Sequence, residues 1–219
     1  QVLGGRIMPK VNLMRVFGVI CAAALVLVTA VSYISWQVND IEDSVLRLHI
    51  VANSDSDEDQ ALKLKVRDEV VERCGFLFEN CVSAEQSIKT AADNIGFIKY
   101  VAEQVITENG YNYDADCQVT QCSFPTKQYE RPGDGVVSLP RGEYNALNIK
   151  IGAAKGKNWW CVMYPPLCFV DGVASVPDET DELLKSQLTA SEYELITESD
   201  RPEIKIKFKI AELLGGQQD

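Results

Sequence analysis

Histidine is nearly missing from this chain: His49 is the only one among 219 residues. Any Ser–His or Cys–His catalysis would therefore have to use that imidazole, which sits in VLRLHIVA beside Arg47 with no nucleophile assigned to it. A structural or partner-facing histidine is the expected reading. The sequence also contains no C-x2-C: the close cysteine pairs are spaced C-x6-C, C-x4-C and C-x6-C, which excludes the commonest zinc-ligand and thioredoxin-type redox patterns. Neither internal repeats nor low-complexity tracts occur, so one folded domain is expected. Charge is scarce at the start, where Arg6, Lys10 and Arg15 are the only charged residues before Asp40. The rest holds 18 basic against 32 acidic side chains, net −14. Such a domain is soluble and repels nucleic acid and anionic lipid surfaces, which argues against a DNA-binding role.

What the beginning of the chain does have is a long apolar run. Val16 to Asn39 carries no charge, and VFGVICAAALVLVTAVSYISW is long enough to cross the hydrocarbon layer of a bilayer. All three basic residues precede it, so the positive-inside rule keeps residues 1–15 in the cytoplasm and exports everything after Asp40. Length and the interfacial Tyr33 and Trp36 favour an uncleaved anchor, whereas the small residues Ala30 and Ser32 suit a signal peptidase. The organisation read from this is a basic tail (1–15), a transmembrane anchor or signal peptide (16–38) and an extracytoplasmic domain (40–219).

In that domain, Val45 to Ala52 alternates as a half-buried strand should, and the polar run NSDSDEDQ leads into a helix over about Asp57 to Arg73. Ser83 with Gln86 heads a second helix whose apolar stripe runs from Ile88 to Ile106 and stops at Asn109-Gly110. Cys117 to Phe124 and Glu143 to Gly152 read as strands, the latter with Leu147, Ile149 and Ile151 inward, and Asp178 to Leu188 as a short acidic helix. Residues 203–214 fit either a strand or a helix. Strand, two helices, then several strands predict an α+β domain with helices packed on a mainly antiparallel sheet.

Candidate chemistry thins out on inspection. Asp55-Ser-Asp57-Glu-Asp59 resembles the start of a calcium loop, but Gln60 stands where glycine must make the sharp turn and Val66 where a bidentate Glu belongs, so helix capping is the better role. Gly152-Ala-Ala-Lys-Gly156-Lys157 is one residue short of a phosphate loop, lacks the Ser or Thr, and leads into WWCV; it reads as a turn. No metal and no cofactor is expected. Of the six cysteines after the apolar run, the nearest in sequence pair as Cys74/Cys81, Cys117/Cys122 and Cys161/Cys168, and the last is the disulfide expected here. It would close a small loop in NWWCVMYPPLCFVD, where adjacent Trp159 and Trp160 should point to opposite faces and Pro165-Pro166 must end or edge the strand. That cluster is either a stapled piece of core or a recognition surface.

LRLHIVANSDSDEDQALKLKVRDEV (46–70), SFPTKQYE (123–130), LPRGEYNALNIKIG (139–152) and GKNWWCVMYPPLCFVD (156–171) together resemble the stage II sporulation protein R family of endospore-forming bacteria. The resemblance implies a signalling protein and not an enzyme. It would be made in the forespore, exported into the space between forespore and mother cell, and there activate a membrane-embedded aspartic protease that processes pro-sigma-E. Contacts to that partner are expected from Trp159, Trp160, Tyr164, Pro165, Pro166 and Leu167, with Arg47, His49, Asn53 and Asp55 as a second, polar patch. The competing readings are a secreted hydrolase or thiol enzyme, and a membrane-anchored structural protein of the septum.

Overall fold

The charge-free run forms one helix, α1 (Leu13–Asp43), in the computed structural model, which describes residues 13–131, 135–166 and 178–198 together with Ile204, Lys205 and Lys209. By length and composition α1 can cross a membrane: Met14–Asp43 has a window of mean hydropathy 2.4. Its side chains from Met14 to Ala30 are exposed, and Tyr33 and Trp36 lie side by side with ring centroids 6.3 Å apart. Toward its end the helix changes character. Ile34, Gln37, Val38 and Ile41 recur at helical spacing and are buried against the domain, so α1 continues without a break into the fold.

β1 (Leu46–Val51) follows, then α2 (Asp57–Cys74). Ser56 caps α2, its hydroxyl accepting from Asp59 N at 3.2 Å, and Asp57, Glu58 and Asp59 occupy the positive end of the helix dipole. The expected capping role of the acidic run is thus observed. A short 3-10 turn (Gly75–Leu77) leads to α3 (Ala84–Asp93) and α4 (Ile95–Glu108). One continuous helix was the expectation here, and the structure breaks it at Asn94. The Asn94 side-chain amide donates to Thr90 O at 2.8 Å and so ends α3, while its own carbonyl accepts from Phe97 N and Ile98 N and starts α4. The stop at Asn109-Gly110 is a Schellman turn: Tyr111 N donates to Ile106 O, Gly110 N to Thr107 O, and Gly110 takes φ +81°.

The β part comprises β2 (Ala115–Phe124), β3 (Lys127–Arg131), β4 (Gly135–Leu139), β5 (Gly142–Ile151) and β6 (Asn158–Tyr164). Four strands form a sheet in the order β2-β5-β1-β6, and β3-β4 is a separate hairpin. The β2/β5 and β1/β6 ladders are antiparallel, whereas β1 and β5 run parallel, with Leu48 opposite Leu147 and Ile50 opposite Ile149. This is the α+β, mainly antiparallel architecture that the sequence predicts. After α5 (Asp178–Gln187) comes α6 (Ala190–Thr197), headed by a Thr189/Glu192 capping box.

Each face of the sheet carries its own core. On one, Leu48, Ile50, Leu147, Ile149 and Met163 meet Val66, Val70, Ile98 and Val105 of the helices. On the other, Tyr144, Ala146 and Val162 meet Ile41, Tyr129, Val137, Leu139, Leu195 and Ile196. β1 is therefore a central strand buried on both sides, not the half-buried strand its alternation predicts. Most of the ambiguous tail lies outside the described residues; Ile204 joins the second core. If the end of α1 is core, Ile41→Ala in the full chain in detergent micelles will lower urea stability by about 2–5 kcal/mol, and Val19→Ala will leave it unchanged.

Candidate functional site

Arg47 organises the second face of the sheet. Its side chain is 0% exposed, donates from Nε to Cys161 O at 3.0 Å and from Nη2 to Tyr129 Oη at 3.1 Å, and lies over the rings of Phe124 (4.2 Å) and Tyr144 (4.8 Å). Arg47, expected as a partner contact, has no exposed surface in this fold and holds the strands around it.

His49, two residues along the same face, is stacked on Trp160 (ring centroids 6.0 Å, 4° between planes) and meets Phe124 edge-on at 5.9 Å. Its Nε2–H donates to Asn158 Oδ1 at 2.9 Å, and Nδ1 is buried with no partner among the described residues. Burial first, and Lys150 nearby, hold its pKa below the ordinary value, against the opposing bond to Asn158. With Nδ1 buried and Nε2–H bonded to Asn158, neither ring nitrogen is presented to a substrate. The tryptophans do take opposite faces: Trp159 packs on the helical core under the Arg67 guanidinium at 4.3 Å, and Trp160 on the other core under Lys127 Nζ at 5.0 Å. Both are half-buried, because both faces of the sheet are covered.

Tyr164, expected as an anchor, is core as well. It is 1% exposed, donates to Cys81 O at 3.0 Å and accepts from Gln187 Nε2 at 2.7 Å. A cis bond joins it to Pro165, which is buried, while Pro166 is exposed. Leu167 and Cys168 lie outside the described residues. Cys161 is disulfide-bonded, and Cys74, Cys81, Cys117 and Cys122 are free, so the Cys74/Cys81 and Cys117/Cys122 pairings do not form. On β2, Cys117 packs on the helical core and Cys122 on the other, so these two thiols take opposite faces of the strand; Cys81 faces Thr90 Oγ1 at 3.6 Å and Cys122 accepts from Asn148 Nδ2 at 3.3 Å. Burial pushes the Cys74 thiol up to about 11 and Cys117 up to about 12, which leaves both unreactive.

The remaining two expected contacts, Asn53 and Asp55, belong to a knot between the loop after β1 and the Gly152–Lys157 turn. Asn53 Oδ1 accepts from Ala153 N (2.9 Å), Asp55 Oδ1 from Lys157 N (2.7 Å), and Gly156 N donates to Ala52 O (2.9 Å). Buried Asp59 ties the first loop to itself, accepting from Ser54 Oγ (2.5 Å) and Asn53 Nδ2 (2.8 Å). Hydrogen bonds from Ser54 first, then from Asn53 and Tyr113, hold its carboxyl below the ordinary range. Lys63, also buried, donates to Gln60 Oε1 and Lys157 O. Sequence reasoning read Asp59 as part of a capping run and Gly156 as part of a turn without joining the two, and it missed Lys63; at Gly156 a Cβ would meet Ser54 O at 2.1 Å. Among the described residues no group of three His, Cys, Asp or Glu side chains is arranged to hold a metal ion.

The segments joined by this knot and by the Arg47 cluster coincide with a known family pattern. The family model described as stage II sporulation protein R matches residues 42–174. The chain belongs to that family. Stage II sporulation protein R of Bacillus subtilis (strain 168) is 38% identical over 150 residues, which cover 67% of this chain and 65% of that protein. No solved structure matches the chain.

Two measurements check the site. Gly156→Ala will lower urea stability by about 1–3 kcal/mol, because Ser54 O is backbone and cannot move aside cheaply. His49 favours its neutral form in the fold, so as pH falls below the ordinary value of 6.5 the unfolded chain takes up a proton that the folded chain resists, and stability is lost. Denaturant midpoints between about pH 7 and pH 5 will fall more steeply for the wild type than for His49→Gln.

Proposed function

We propose that the chain is a signalling protein of sporulation, exported or membrane-anchored at the forespore, that activates a membrane-embedded aspartic protease to process pro-sigma-E in the mother cell. The observation that carries this reading is the family match over residues 42–174, lying directly behind a helix apolar enough for anchoring or export. An activator need only bind the active state of its target more tightly than the inactive one, each tenfold of preference amounting to about 1.4 kcal/mol. Such work asks for a rigid surface and no reacting group. A fold whose one histidine has Nδ1 buried and Nε2–H bonded to Asn158, and whose Cys74 and Cys117 thiols are pushed up by burial, suits that role better than a hydrolase or thiol enzyme.

Among the expected contacts, half-buried Trp160 and exposed Pro166 and Asp55 keep surface to offer, and Arg47 and Tyr164 do not. Co-expression of the protease and pro-sigma-E with and without the full chain tests the reading. Processing is expected only when the chain is present, and Trp160→Ala should reduce it at least tenfold while the protein remains folded by circular dichroism. Equal processing with and without the chain would overturn the proposal.

A further inference from the structure

β2 is an edge strand that lacks the usual protection of an edge. All ten of its residues pair with β5 in unbroken register, and it pairs with no other strand among the described residues. No backbone hydrogen bond from any other described segment reaches Ala115–Phe124. At roughly 3.4 Å per residue the edge is about 34 Å long, twice the usual strand. Natural edges are blunted by lysine, proline, bulges or brevity. ADCQVTQCSF has no Lys, Arg, Pro or Gly and a single charge, Asp116, and its ladder has no register shift. The strand is reachable along its length: Asp116, Gln118, Gln121 and Ser123 are exposed, and Cys117, Val119, Thr120 and Cys122 half-buried.

The charge around this edge says what can approach it. Asp114 and Asp116 are exposed on the strand and its approach, and Glu143, the register partner of Ser123, is exposed beside it. Lys99 is taken up by Glu103 at 3.5 Å, and Lys150 stands opposite Asp116. With 18 basic against 32 acidic residues from Asp40 onward, a second copy of the chain would be repelled.

We infer that β2 accepts an added strand from a partner protein, an extended segment carrying Lys or Arg at alternate positions. The alternate β2 residues whose N–H and C=O groups point away from β5 supply the backbone bonds, and the acidic flank selects for basic side chains. This inference does not depend on the protease reading.

The test uses the full chain in detergent micelles and three synthetic decapeptides: alternating Thr and Lys, the same peptide with Glu for Lys, and the Thr-Lys peptide N-methylated at alternate amides. Fluorescence anisotropy reads affinity and amide hydrogen exchange reads the site. Expected results are slowing of exchange at β2 amides by the Thr-Lys peptide, at least tenfold weaker binding of the other two peptides, and at least tenfold loss on Gln118→Lys with Gln121→Lys in a chain whose other amides exchange normally. Equal binding of the N-methylated peptide would reduce the effect to charge alone and overturn the inference. So would the absence of binding, protection away from β2, or a peptide-independent dimer with β2 protected.

Discussion

A cation buried without an anion is the constraint around which this fold closes. Arg47 sits in the central strand, fully enclosed, and makes no ion pair among the described residues. Removing a guanidinium from water costs several kcal/mol unless its donors and its charge are otherwise met. Here the Cys161 carbonyl and the Tyr129 hydroxyl accept from Nε and Nη2, the faces of Phe124 and Tyr144 supply negative potential, and Nη1 has no hydrogen-bond partner among the described residues. Those partners come from β6, β3, β2 and β5 in turn. Five strands are thus held in one arrangement by one side chain, and the β3-β4 hairpin has to lie on the sheet because Tyr129 completes the cage.

The opposite end of β1 is held by a different device. There the loop that follows the strand and the turn before β6 exchange backbone and carboxylate hydrogen bonds through Asn53, Asp55 and Gly156. The residues that look most like a binding loop are consumed in positioning two chain segments against each other. What they hold in place is β6, and with it the pair Trp159 and Trp160 on the two faces of the sheet.

The apolar helix bears on how the domain is presented. Because Ile34, Gln37, Val38 and Ile41 are packed into the domain, a cut near Ala30 to Ser32 would leave the last turns of α1 on the fold as its first element. If α1 is uncut, no flexible tether separates the bilayer from the domain, and the exposed Tyr33 and Trp36 stand where an interfacial belt belongs. Either way the joint is part of the core.

Local rules carried much of this in the sequence. The apolar N-terminal helix, the Ser56 cap, the Asn109-Gly110 stop and the inward set Leu147, Ile149 and Ile151 follow from hydropathy, capping and alternation, each a matter of neighbours in the chain. The unusual motif strings were also enough to point to the family. Tertiary structure alone decided the rest, since no local pattern says whether a second layer will cover the other face of a sheet. That second layer turns Arg47 from a surface charge into a buried one and half-buries Trp160, while the helices on the first face enclose Tyr164 and half-bury Trp159. Cysteine pairing shows the same limit: Cys74, Cys81, Cys117 and Cys122 remain free thiols despite their short spacings, and Cys117 and Cys122 pack on the cores of opposite faces of the sheet.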